Sequence, residues 1–144
     1  MARRGGASKA AAIPESSISA ESRVALLAGI KQFNAWRFYD CHETLEDLWL
    51  AEETELAAFY QGIIKLAAGF HHLLRANQPG ALKLLAGGLR LLEPFSPSRL
   101  GIAVSALVED SRSCYREIAA LGPQRIREFD RSHIPVISYS ESLA

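Results

Sequence analysis

The 144-residue chain lacks most of the features that give a function away. It has two cysteines, Cys41 and Cys114, too few for a disulfide framework and not in a Cys-x-x-Cys pair, so a reduced, cytoplasmic setting is expected. No charge of either sign is in excess, since sixteen basic residues balance sixteen acidic ones. That balance argues against nucleic acid as a partner, because a general nucleic-acid binder needs a basic face for phosphate neutralisation. It argues equally against docking on anionic lipid. No segment approaches the ~20 apolar residues of a membrane span. Arg3, Arg4 and Lys9 are followed by no apolar core of a secretory signal. There is no phosphate-cradling glycine loop, no Gly-x-Ser-x-Gly elbow and no identifiable nucleophile. His42-Glu43 opens like a His-Glu-x-x-His zinc motif, but Glu46 stands where the second histidine would be.

What is present is one domain's worth of ordinary globular composition, 49% hydrophobic and 22% charged. Helical periodicity dominates it. A first helix is expected from Ser19 or Glu21 to Ala35, with Val24, Leu27, Ile30 and Phe33 recurring at spacing three. A second covers Phe38 to Leu50, and a third runs from Thr54 to Asn77 with no proline inside it. Pro79 and Gly80 open a fourth, carrying Leu82, Leu85, Leu89 and Leu92. A fifth carries Leu100, Val104, Leu107, Cys114 and Ile118 until Gly122-Pro123 stops it. Ile134 to Ile137, with Pro135 inside, reads as an extended segment packed on the helices. Short connections favour antiparallel neighbours, so the expected fold is all-α, a compact antiparallel bundle of about five helices. Residues 1–19 read as a disordered tail, 20–123 as the bundle and 124–144 as an extended C-terminal tail.

The second helix carries the most unusual chemistry. At about 100° per residue, Cys41, Leu45, Leu48 and Trp49 fall within about 80° of Phe38 and make an apolar stripe. His42 lands inside that stripe and Glu46 at its edge, whereas Asp40, Glu43 and Asp47 cluster opposite. His42 and Glu46 are four apart, so their side chains share a face. Burying both unpaired would cost on the order of several kcal/mol. Three arrangements would satisfy them: a mutual hydrogen bond under Trp49, a shared divalent metal ion, or an acid/base pair in which Glu46 orients His42. On the third helix, Gln61, Lys65 and His72 line the face opposite the large apolar residues. The small residues Ala58, Gly62, Ala68 and Gly69 let another helix approach there, so Gln61 and His72 are expected to point toward His42 and Glu46. Lys65 is placed to pair with Glu46, which would weaken the case for a metal. Cys41 is expected to be a buried apolar thiol, and Tyr60 and Trp36 core or core-rim aromatics.

Phe38 to Trp49 resembles the His-x-x-x-Glu-x-x-Trp signature of the domain-of-unknown-function family 309, matched by His42, Glu46 and Trp49. The resemblance continues through Phe59-Tyr60-Gln61-Gly62-Ile63-Ile64, His72 and Arg75-Ala76-Asn77 into Gly80-Ala81 and Leu84-Leu85, covering residues 24–93. It implies a helical bundle of unassigned role whose signature is suspected of binding metal. Carried onto this chain, the suspicion falls on one divalent ion held by His42, Glu46 and His72, with Trp49 as a packing lid. Two departures are Lys65, where the family tends to have Gln, and Ala76, where it tends to have Gly. Three readings of function stay open. The first is a metal-binding protein using His42, Glu46 and His72. The second is a non-catalytic interaction or scaffold protein, with a protein partner or homo-oligomer, whose His42–Glu46–Trp49 cluster is structural. The third is a small-molecule pocket lined by Trp49, Tyr60 and His72.

Overall fold

A computed structural model describes residues 18–140. The tail expected over residues 1–19 therefore lies almost entirely outside the described residues. Ser19 starts α1 (Ala20–Asn34) by accepting a hydrogen bond from the Ser22 N–H at 3.0 Å, and Lys31 sits in its last turn, where the helix dipole favours a cation. The helix then ends in a 6→1 and 5→2 pair, with Arg37 N–H donating to the Gln32 carbonyl and Trp36 N–H to the Phe33 carbonyl. Trp36 takes the left-handed position of this turn, at φ 63°, and its ring is exposed rather than at the core rim.

The chain enters α2 (Phe38–Ala51) directly from that turn. Glu52 accepts from the Thr54 hydroxyl at 2.6 Å and Thr54 caps the Leu56 N–H, which starts α3 (Leu56–Leu74). This helix ends in the same motif as α1: Asn77 N–H donates to the His72 carbonyl and Ala76 N–H to that of Leu73, with Ala76 at φ 59°. The chain thus opens with two successive helical hairpins joined by equivalent turns, a repetition that the side-chain pattern conceals. Asn77 then caps α4 (Gln78–Leu92), accepting from the Gly80 N–H at 3.0 Å.

One expected element is corrected. The fifth helix does not include Leu100; α5 begins later (Val104–Leu121). The preceding residues form a two-stranded antiparallel hairpin, β1 (Ser98–Arg99) and β2 (Ile102–Ala103). Leu100 and Gly101 both have positive φ, as a tight two-residue hairpin turn requires. The extended segment after residue 133 packs as anticipated. Ile134, Pro135 and Ile137 are buried, and Ala103 N–H donates to the Ser138 carbonyl and Ser140 N–H to that of Gly101, so the segment lies along the hairpin like a third strand. Asn34 holds it from the other side, accepting from the Ile137 N–H at 2.7 Å and donating to the Ile137 carbonyl at 3.1 Å.

The core is continuous. Phe33, Phe38 and Phe70 join α1, α2 and α3 through ring contacts of 5.1 to 5.9 Å, and Phe59 meets Phe95 at 5.2 Å. Helix α3 lies between α2 and α4, and α1 packs on α2 and α5 on α4. Glycine permits the α3–α4 approach: a Cβ on Gly88 would stand 2.9 Å from the Gly62 carbonyl oxygen and 2.8 Å from Leu66 Cδ2. Among the described residues no helix is long and apolar enough to cross a membrane.

Two substitutions on these hairpins should act in opposite directions. Gly88→Ala forces α3 and α4 apart and should lower the unfolding free energy by about 1–3 kcal/mol. Ala76→Gly relieves a left-handed alanine and should raise it by about 0.5–1 kcal/mol. Urea unfolding checks both, and a destabilised Ala76→Gly would contradict the turn geometry.

A pH dependence comes from the C-terminal segment. His133 Nδ1 lies 2.8 Å from Glu117 Oε1, and its Nε2 lies 3.5 Å from Asp130 Oδ2. The hydrogen bond to Glu117, then the charges of Glu117 and Asp130, raise the His133 pKa. A raised histidine stabilises the fold fully below its unfolded value of about 6.5, and the contribution is lost as pH climbs through the folded value. The melting temperature of wild type minus that of His133→Gln should therefore shrink from pH 6 upward. A difference flat across that window would show that the contact carries no linkage.

Candidate functional site

The signature residues lie on the neighbouring helices α2 and α3. His42, Glu46 and Trp49 on α2, and Gln61, Lys65, His71 and His72 on α3, are all half-exposed. The Tyr39 ring bridges the two helices, 6.1 Å from His42 and 6.3 Å from His71. The opposite side of α3, with Phe59, Ile63, Leu66 and Phe70, is buried in the core.

Several expectations about this face are corrected. His42 and Glu46 make no side-chain hydrogen bond or ion pair with each other or with any described residue. Their half-exposure explains why they tolerate this, because solvent reaches a group at the rim of a helix layer at little cost. Lys65 does not pair with Glu46. Its chain leans the other way, over α4, where a Cβ on Gly87 would stand 3.1 Å from Lys65 Cδ and 3.5 Å from Nζ. Gln61 likewise makes no side-chain hydrogen bond among the described residues. The small residues of α3 do seat a neighbouring helix, since a Cβ on Gly62 would collide with Leu92 and one on Gly69 with Leu85. That neighbour packs beside Gln61 rather than over it.

His72 belongs to the α3–α4 turn. Its Nδ1 lies 3.1 Å from Asn77 Nδ2, and Asn77 Oδ1 already accepts from Gly80 N–H, so Nδ2 is the donor and Nδ1 the acceptor. The ring proton then sits on Nε2. A metal-ligating imidazole offers one nitrogen's lone pair while the other donates, and this arrangement leaves no free lone pair. Among the described residues no three His, Cys, Asp or Glu side chains gather closely enough to hold a metal ion. His42, Glu46 and His72 therefore do not fit the group that the resemblance implies.

The remaining predicted residues fall into place by burial. Tyr60 is wholly buried and contributes no accessible wall to a pocket. Burial, then the negative charge of Glu52, pushes its hydroxyl up to about 12 against the opposing pull of Arg99. Cys41 is a buried thiol, likewise pushed up to about 12 by desolvation. Trp49 packs against the core edge. His71 stands half-exposed beside Tyr39. Burial, then the charges of Arg75 and His72, lowers its pKa and favours the neutral ring. Sequence reasoning assigned no role to Asn77, although an Asn before a Gln-Pro-Gly helix start is a capping signal.

With this geometry in view, the chain can be set beside known proteins. Residues 26–84 match the family model "Domain of unknown function (DUF309)". The family model agrees with the resemblance seen in the sequence, and the matched segment spans most of α1, all of α2 and α3, and the first half of α4. The chain is also similar to "Uncharacterized protein YpuF" of Bacillus subtilis (strain 168), with 33% identity over 91 residues. That alignment covers 60% of this chain and 52% of the relative, so the chain spans about half the length of the curated relative it matches. Every signature residue discussed above lies inside the DUF309 segment.

If this face is not a structural network, its residues are replaceable without loss of stability. Glu46→Gln should leave the unfolding free energy within about 0.5 kcal/mol of wild type. Asn77→Ala, which removes both the cap and the hold on His72, should cost about 1 kcal/mol. A large loss in Glu46→Gln would restore the buried-pair reading.

Proposed function

We propose that the chain is a non-catalytic interaction module whose α2–α3–α4 face receives a protein partner. One observation carries this reading: His42, Glu46, Gln61 and Lys65 are all half-exposed on two neighbouring helices, yet none spends its hydrogen-bonding capacity on another described side chain. Polar groups that neither hold the fold together nor converge on an ion are available to a second molecule. Half-exposed Leu84, Leu91 and Trp49 interleave with them, giving the mixture of apolar anchors and polar groups typical of transient interfaces. Stacked helical hairpins are also the unit from which many partner-binding surfaces are built, an analogy of architecture only.

A photo-crosslinking amino acid placed at Gln61 in cells should trap a discrete protein. The same probe at Arg116, exposed on α5, should not, and Lys65→Glu should abolish the product. Equal labelling from both positions would sink the proposal. The competing reading, a divalent ion on His42, Glu46 and His72, is tested on the same preparations by metal mass spectrometry. Near-stoichiometric metal that disappears in His42→Ala would replace the interaction reading with that one.

A further inference from the structure

The geometry points to a second copy of this chain as the occupant of the α2–α3–α4 face, related by a two-fold axis that lies between the two faces, parallel to α3. This inference rests on the interaction reading and adds the partner's identity. It is carried by the distribution of charge. On α2 the acids within about 40° of Tyr39 are Glu46 and Glu43, and the helix holds no lysine or arginine. Helix α4 contains Lys83 and Arg90 and no acid. Helix α3 between them contains one charged residue besides histidine, Lys65, and it leans over Gly87 to join the basic side. The face therefore has an acidic rim and a basic rim with a nearly neutral centre. A two-fold rotation exchanges the rims, so each acidic edge meets the other copy's basic edge.

The register supports the match. On α2, Glu46 is seven residues from Tyr39 and Glu43 four, so both point to the side where the Tyr39 ring meets His71. On α4, Gly80 stands beside His72 and Gly87 beside Lys65, and Lys83 and Arg90 each follow one of these glycines by three residues. Carrying these levels along the antiparallel helices places Glu46 level with Ile64, Glu43 with Ala67, Lys83 with Gly69 and Arg90 with Gly62. Rotation about an axis parallel to α3 keeps these levels, so Glu46 comes to within about 3 Å of the level of the other copy's Arg90, at 1.5 Å per residue. It brings Glu43 equally close to the level of Lys83. None of these four side chains has an ion-pair partner among the described residues of its own chain.

The size is also adequate. Helix α3 is about 28 Å long and three helices side by side span about 20 Å between outer axes. The projected area is on the order of 600 Å² before rim side chains are counted, close to the ~800 Å² that each partner contributes to a stable interface.

Sedimentation equilibrium of the full chain tests this, using two charge-reversed variants. Glu43→Lys/Glu46→Lys makes both rims basic, and Lys83→Glu/Arg90→Glu makes both acidic. Wild type should form a reversible dimer with a dissociation constant below about 100 μM at low salt, weakening as salt is added. Each variant alone should dimerise at least about tenfold more weakly, and an equimolar mixture of the two should regain wild-type affinity. Recovery on mixing also shows that both variants are folded. A wild type still monomeric at about 0.5 mM overturns the inference, as does a dimer indifferent to both reversals. Monomeric wild type with a cross-link from Gln61 to a different protein removes the second copy and keeps the interaction module; neither dimer nor cross-link removes both.

Discussion

The close approach of α3 and α4 is the contact on which the remaining architecture depends. It is made by the absence of side chains. Leu85 and Leu92 of α4 settle onto Gly69 and Gly62, and Leu66 of α3 settles onto Gly88. Dispersion forces fall off steeply with distance, so such an approach gains contacts that wider helix spacing forfeits. It holds α4 beside α3 rather than over it, with α2 on the other flank. Aromatic packing by Phe33, Phe38 and Phe70 then closes the inner side, and α1 and α5 complete it.

The same arrangement creates the outer face. A helix flanked on both sides, with its core on one side, has a last stripe of residues that is neither buried nor fully wet. On α3 this stripe is Gln61, Lys65, Ala68 and His72. His42 and Glu46 reach the same zone from α2. Such positions accept polar side chains without demanding that they pair. That is why a motif suggestive of a buried cluster can stand here with its groups unpaired, and why the turn residues His72 and Asn77 carry a structural duty that their neighbours do not.

Much of the fold was legible. The five helices follow from apolar spacing, and their ends from Ser19, Pro79 and Gly122, whose backbone preferences act locally. The hairpin was not, because its turn uses Leu100 at positive φ, where Asn or Gly would have announced it. The equivalence of the two helical hairpins was hidden in the same way, with Trp36 and Ala76 occupying positions usually given to glycine. For the site, the helical wheel read His42, Glu46 and Trp49 as sharing a face of α2, and Gln61, Lys65 and His72 as lining one face of α3. It misjudged their depth. A wheel gives direction around one axis, whereas depth depends on where neighbouring helices stop covering it. The donor on His72 was beyond reach for a related reason: its partner Asn77 lies past a turn whose shape the wheel does not contain.

The clasp between Asn34 and Ile137 joins residues 103 positions apart. During synthesis α1 through α4 can assemble from local contacts as they emerge, since neighbouring hairpins close short loops at small entropic expense. The amide of Asn34, however, waits for 103 further residues to be made before its partner exists. Premature termination anywhere upstream of Ile137 would thus release a bundle whose inner edge is open, with the hairpin's last strand missing. Such a product would present an unpaired strand edge beside buried isoleucine surface. The segment around Ile137 thus acts as a seal on the first helix.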